Sequence, residues 1–181
     1  MRRLTTGLFY SVDGVAEAPH LWQFDSFDDE LGAAMTDMMQ QTDTVLLGRV
    51  SYEEWAGYWP SADDPFANFI NPVQKFVAST TLTGDLEWEN SQLMDRDLEE
   101  FVTSLKESDG GDIAVCGSLS VTRQLLFAGL LDDLTLIVHP VVAGSGRHLF
   151  EADSPTTRLT LLKARHTTKG NAILSYGLRT E

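Results

Sequence analysis

Two short runs in this sequence carry an apolar stretch straight into a glycine and then into a helix-forming segment. They are Val45-Leu46-Leu47-Gly48-Arg49-Val50-Ser51 and Ile113-Ala114-Val115-Cys116-Gly117-Ser118. Glycine at such a junction lets a ligand approach the backbone, and the following helix start offers unpaired N–H groups and a favourable dipole. Arg49 adds a fixed cation with several donors, and Ser51 adds a hydroxyl. Either junction alone reads as an ordinary turn; the two together suit a ligand with a pyrophosphate. Other chemistries find less support. His20, His139, His148 and His166 lie scattered without metal-ligand spacing, so no metal is expected. No Ser-His-Asp nucleophile elbow is visible, and Gly144-Ser145-Gly146 is a weak dinucleotide fingerprint. Trp22, Trp55, Tyr58 and Trp59 read as core or pocket wall, and the single Cys116 as a small buried hydrophobe.

The elements that must position these residues follow from pattern. Leu4 to Val12 reads as a strand ended by Asp13-Gly14, followed by a long loop to Phe27. Phe27, Leu31, Met35 and Met38 recur at helical spacing and predict a helix over about Asp28 to Gln41. Further strands are expected at Val45–Leu47, Lys75–Ser79, Leu86–Glu89, Ile113–Cys116 and Leu134–Val138. Asp95 is the expected cap of a helix whose apolar face is Leu98, Phe101, Val102 and Leu105. A second helix is expected to follow Gly117-Ser118, carrying Val121, Leu125 and Leu126. Leu159–His166 and Ala172–Leu178 read as strands joined by a turn at Lys169-Gly170-Asn171. Strands alternating with helices, closed by two consecutive strands, predict a single α/β domain over residues 1–181. Its central sheet should be mostly parallel, with an antiparallel C-terminal hairpin. In such sheets ligands sit outside the carboxyl ends of the strands.

Composition narrows the partners. The 181 residues include 27 acidic and 13 basic side chains, a formal net charge of −14. Such a surface repels phosphate polymers and anionic membranes at long range, so neither nucleic acid nor membrane is an expected partner. An anionic small ligand must be held by local positive features. One cysteine excludes an intrachain disulfide and fits a reducing, cytoplasmic setting. Arg2 and Arg3 open a strand rather than a targeting segment, because Thr5, Thr6, Ser11 and Asp13 interrupt the apolar run.

The ordered set of motifs resembles the dihydrofolate reductase-like family, on the branch of the riboflavin biosynthesis reductase domain. Gly48-Arg49-Val50-Ser51-Tyr52-Glu53 resembles the family's Gly-Arg-x-Thr-Tyr-Glu, and Ser11-Val12-Asp13-Gly14 its Ser-Leu-Asp-Gly. Lys75 to Ser79 is similar to its third strand. His139-Pro140 through Gly144-Ser145-Gly146 to Leu149-Phe150 is similar to a stretch of the riboflavin-type branch. The resemblance implies a three-layer fold and an NADPH site. Gly48, Arg49, Val50 and Ser51 would hold cofactor phosphates, with Ser79 and Thr80 near the adenosine 2′-phosphate. Gly117, Ser118, Leu119 and Val121 would cradle the pyrophosphate and approach the nicotinamide. Cys116-Gly117-Ser118 stands where the family often has consecutive glycines, and Thr80 where classical members often have arginine. The acid serving the substrate would be Asp28, with Asp25 as the alternative, beside Phe9, Asp13 and Trp22. The implied function is hydride transfer to a small pterin-like or ribosylaminopyrimidine-like heterocycle by a homodimer. The alternative is a nucleotide-binding or interaction module without turnover on the same fold. The zinc deaminase signature of the bifunctional riboflavin enzyme is absent from the sequence.

Overall fold

A computed structural model of the chain describes residues 1–179. The strands are β1 (Leu4–Ser11), β2 (Thr42–Gly48), β3 (Gln74–Ala78), β4 (Ser91–Leu93), β5 (Asp112–Val115), β6 (Asp133–His139), β7 (Leu159–His166) and β8 (Ala172–Leu178). The helices are α1 (Asp29–Gln41), α2 (Arg49–Ala56), α3 (Ala67–Ile70), α4 (Leu98–Glu107) and α5 (Leu119–Phe127). The strands form one eight-stranded sheet in the order β4-β3-β2-β5-β1-β6-β8-β7. From β4 to β6 every pair is parallel; β8 runs antiparallel to both β6 and β7.

Strand alternation sorts the core into layers. Leu4, Leu8, Leu46, Ile113, Val115 and Leu134 face one side and pack with Leu98 and Val102 of α4 and Val121 and Leu125 of α5. Val45, Leu47 and Val77 face the other side with Tyr52 of α2 and Ile70 of α3. Farther along that second side, Leu31 and Ala34 of α1 meet Ile137 and Ile173, with Phe9 packed against them. The result is three layers. β2 lies between two helical layers, and Val45, Leu46 and Leu47 are all fully buried. That explains its unbroken apolar run.

The expected elements recur with two corrections. The strand expected at Leu86–Glu89 is irregular, and β4 forms at Ser91–Leu93 instead, in register with Lys75, Phe76 and Val77 of β3. Trp88, within that segment, is buried against Tyr52 as a loop side chain. α4 begins after Asp97 rather than after Asp95, whose carboxylate binds Arg96. Among the described residues no helix is long and apolar enough to cross a membrane.

Lys75 is fully buried, although β3 sits near the sheet edge. Its ammonium donates to the carbonyls of Ile70 (2.9 Å), Asn71 (2.8 Å) and Val73 (2.8 Å) and lies 4.6 Å from the centre of the Trp88 ring. It therefore satisfies the chain reversal that leads from α3 into β3. Lys75→Met keeps the stem but leaves three carbonyls without their donor. Urea unfolding should show a loss of about 2–4 kcal/mol, the cost of unsatisfied buried acceptors.

Candidate active site

β3, β2 and β5 are neighbours in the sheet, and their carboxyl ends open on one cleft of about 850 Å³. Gly48, Arg49, Val50 and Ser51 line it from the β2–α2 junction. Ser79 and Thr80 line it from the end of β3, and Gly117, Ser118, Leu119 and Val121 from the β5–α5 junction. The structure thus brings all ten residues expected at a cofactor to one cavity.

The two glycines work differently. Gly48 has an ordinary extended backbone, and a Cβ there would collide with the Ser118 hydroxyl and touch Val121 Cγ2 at 3.4 Å. Its bareness lets the start of α5 pack against the end of β2. Gly117 has φ +62°, a left-handed conformation that disfavours side chains, and an added Cβ would lie 2.7 Å from Trp55 Cζ2. Both vacant positions are therefore filled by protein, and the cleft is lined by the helix starts beyond them. Neither Gly48 before α2 nor Ser118 before α5 makes a side-chain cap. Ser118 is a good capping residue type, yet its hydroxyl turns toward Gly48 instead. The first-turn amides of both helices are left without side-chain acceptors, as an anion site requires. Ser51 is buried, and its hydroxyl donates to the Gly117 carbonyl (2.9 Å), tying α2 to the end of β5.

Two cations in the cleft wall were not singled out in the sequence. Arg96 lies three residues past the end of β4 and lines the same cleft as Ser79, Thr80 and Thr81, which follow the neighbouring β3. Arg147 reaches the cleft from the glycine loop after β6. The sequence signal for Arg96 existed only through β3–β4 pairing, which the misplaced strand at 86–89 obscured. Each cleft arginine rests on a carboxylate: Arg49 on Glu53 (2.7 Å), Arg96 on Asp95 (2.9 Å), Arg147 on Glu17 (2.6 Å). Among the described residues no cluster of three or more His, Cys, Asp or Glu side chains could hold a metal ion.

The residues expected at the substrate lie along the β1–β6 half of the sheet edge. Phe9 packs edge-on to Phe27 and, with Trp22, flanks the His139 ring at 5.4 and 5.8 Å. His139 is fully buried between Ser26 (2.7 Å) and Gln23 (3.3 Å), and burial lowers its pKa. Trp22 is buried and donates to the Glu17 carbonyl. Asp28 caps α1, accepting from Leu31 N (2.9 Å), and accepts from Lys169 N (3.1 Å) in the β7–β8 turn. The Thr167 hydroxyl, and then these amides, hold its carboxyl below the ordinary range, so it is ionised. Asp25 is exposed, and its carbonyl accepts from the Lys169 ammonium. Asp13 accepts from Ser11 Oγ (2.6 Å), Ala143 N (2.9 Å) and Gly144 N (2.8 Å). It therefore clamps the loop that carries Arg147.

Two outcomes follow from this geometry. Gly117→Ala meets both a left-handed φ and the Trp55 ring, and should lower stability by about 2 kcal/mol and shift Trp fluorescence. Gly129→Ala, with φ +77° and open space around it, should cost only about 1 kcal/mol by the same measurement. Asp13 has its pKa lowered to about 2, first by the Ser11 hydroxyl and then by the two loop amides. A depressed carboxylate stabilises above its unfolded pKa, and that contribution is lost as pH falls through the folded value. The Ala143 and Gly144 amide resonances should therefore titrate together with a midpoint near 2. In Asp13→Asn they should be displaced already at neutral pH.

The family model for the RibD C-terminal domain matches residues 2–173. Uncharacterized protein YyaP of Bacillus subtilis (strain 168) is 30% identical over 183 residues, covering 97% of this chain and 94% of its own. Among solved structures, a Shewanella sp. PV-4 protein ascribed to riboflavin biosynthesis superposes with a TM-score of 0.75 at 16% identity, over 98% of this chain and 99% of that one. The Thermotoga maritima diaminohydroxyphosphoribosylaminopyrimidine deaminase/5-amino-6-(5-phosphoribosylamino)uracil reductase gives 0.68 at 12% identity. That match covers 98% of this chain and 57% of the Thermotoga chain. Matched over almost its whole length, with the same sheet, this chain belongs to the RibD C-terminal domain family and has its dihydrofolate reductase-like, reductase-type fold.

Proposed function

We propose that this chain is a cytoplasmic NADPH-dependent reductase that transfers a hydride to a small heterocycle. One observation carries the reading: two uncapped helix starts, Arg49 and the end of β3 converge on a single cleft at the carboxyl edge of three neighbouring parallel strands. The amides that begin α2 and α5, with Arg49, would hold the pyrophosphate. Ser79, Thr80 and Arg96 would take the 2′-phosphate, so arginine is supplied from the neighbouring strand end although Thr80 itself is neutral. NADPH, when bound, supplies the hydride; the protein fixes its phosphates and shapes the cleft. Asp28, whose carboxyl is held below the ordinary range first by the Thr167 hydroxyl, would serve the acceptor, with Asp25 as the alternative. The exposed edge strand β7, with Leu161 and Leu162 half-exposed, supplies the surface for a homodimer.

The full engagement of Asp28 as a cap also favours a second reading, a nucleotide-binding module without turnover. Titration of the purified protein with NADPH and with NADH, followed by nicotinamide fluorescence, tests both. NADPH should bind the more tightly. Arg49→Ala should weaken both cofactors. Arg96→Ala should weaken NADPH about tenfold, one charge-assisted contact, and leave NADH unchanged. Binding without oxidation of NADPH by any heterocycle would select the module; binding of neither cofactor to folded protein would end both readings.

A further inference from the structure

Strand order sets the three cleft arginines along the sheet edge: Arg96 follows β4, Arg49 follows β2 and Arg147 follows β6. Among the described residues that line the cleft, Arg147 alone comes from the β1–β6 half of that edge. The arginines also differ in how far they are committed. Arg96 gives Nε and Nη2 to Asp95 (2.9 and 3.0 Å), and its Nη1 lies 3.8 Å from Glu100. Arg147 pairs with Glu17 through Nε alone (2.6 Å), and among the described residues neither of its Nη atoms has an acceptor.

The Arg147 side chain is 63% exposed, yet the backbone around it is fixed. Its amide donates to the other Glu17 carboxylate oxygen (3.0 Å), and its carbonyl accepts from the amides of Ala16 (2.9 Å) and Glu17 (3.2 Å). Just before it, Asp13 holds the amides of Ala143 and Gly144. Just after it, Leu149 is fully buried, and its carbonyl accepts from Arg123 Nη1 (2.9 Å) of α5, the helix whose start opens on the cleft. A guanidinium on a loop fastened on both flanks keeps its place, and a free Nη pair is the fork that takes a phosphate by two parallel N–H bonds. The neighbouring basic groups do not offer this. His20, exposed in the β1–α1 loop, and His148, whose Nε2 lies 3.1 Å from the Asp13 carbonyl, are outside the cleft wall. Arg123 is engaged by the Leu149 carbonyl and by Glu151 (2.7 Å).

We propose that Arg147 binds the nicotinamide-side phosphate of the cofactor diphosphate. The proposal rests on the cofactor reading, which puts the adenosine half at Ser79, Thr80 and Arg96. The nicotinamide half then extends past the start of α5 toward β1, the side from which Arg147 reaches the cleft. Glu17, the partner of Arg147, also accepts at its carbonyl from the indole N–H of Trp22 (2.8 Å). A cation that holds the cofactor is thus carried by the loops of the acceptor side, and Asp13, which clamps them, is a positioning residue for the cofactor.

The test titrates the full chain by calorimetry with NADP⁺, with NAD⁺ and with adenosine 2′,5′-bisphosphate, which lacks the nicotinamide-side phosphate. Ribose 5-phosphate is titrated separately into protein saturated with NADP⁺. Arg147→Ala, at an exposed position, should keep the Tm. It should weaken NADP⁺ and NAD⁺ alike, each about tenfold, the loss of one charge-assisted contact, and leave the bisphosphate unchanged. Arg147→Lys should recover part of that loss. Asp13→Asn should weaken NADP⁺ by a smaller factor and have no further effect in the Arg147→Ala background. Arg96→Ala should give the reverse pattern, weakening NADP⁺ and the bisphosphate while sparing NAD⁺. NADP⁺ affinity indifferent to Arg147→Ala, or a bisphosphate weakened as much as NADP⁺, would overturn the proposal. So would loss of ribose 5-phosphate binding in Arg147→Ala with NADP⁺ affinity kept, which gives the arginine to a phosphate on the acceptor. Unaltered protein that binds neither NADP⁺, NAD⁺ nor the bisphosphate would overturn the cofactor reading, and the proposal with it.

Discussion

The start of α5 rests on the end of β2, and this contact sets the geometry of the whole cleft. Ser118 occupies the place that a side chain at Gly48 would fill, and Val121 closes over it. The reverse tie runs from Ser51, at the start of α2, to the carbonyl of Gly117 at the end of β5. Each strand end is therefore fastened to the helix that follows the other strand. The parallel pairing of β2 with β5 fixes the spacing of the strands, and the crossed ties fix the two helix starts against them. A helix start positioned this way needs no movement to present its amides, which is the sense in which an anion site is preorganised.

The electrostatics of the cleft are balanced rather than strongly positive. Arg49, Arg96 and Arg147 each lean on a carboxylate, and Glu54, Asp97, Glu99 and Glu100 also line the wall. With a Debye length of about 8 Å at physiological ionic strength, the net charge of the surface fades before it reaches a bound ligand. What decides binding is then the local exchange of an arginine from carboxylate to phosphate. The exposed ion pairs that would be broken are individually weak, on the order of 1 kcal/mol or less. The uncapped amides of α2 and α5 give up no competing partner side chain when an anion arrives.

Most of the fold was legible in the sequence because its signals are local. The run Val45-Leu46-Leu47 marks a strand buried on both faces, the spacing of Leu31, Met35 and Met38 marks α1, and Lys169-Gly170-Asn171 marks the hairpin turn. Less legible was whatever depended on pairing across the chain. Trp88 belongs to a strand-like segment, yet it is buried as a loop side chain beside the Lys75 ammonium, and the edge strand forms three residues later. The role of Arg96 depends on that register. Gly48 and Gly117 do line the cleft, but their bareness admits Ser118 and Trp55 rather than leaving room for a ligand. Asp28 could be read as a cap or as a site acid from sequence; its contacts with Leu31 and Lys169 are those of a cap that also fastens the hairpin to α1.

The state of Asp28 bears on the shape of the acceptor side. Asp28 accepts from the amides of Leu31 and Lys169, and the Thr167 hydroxyl is the first cause that holds its carboxyl below the ordinary range. His139 is buried behind Phe9 and Trp22, and burial disfavours its charged form. The loop before α1 leaves Phe24 and Phe27 exposed, and Phe27 packs edge-on to Phe9. One carboxylate, Asp28, thus ties the hairpin turn to the start of α1 on the β1–β6 side, as the crossed ties of Gly48 and Ser51 do on the β2–β5 side.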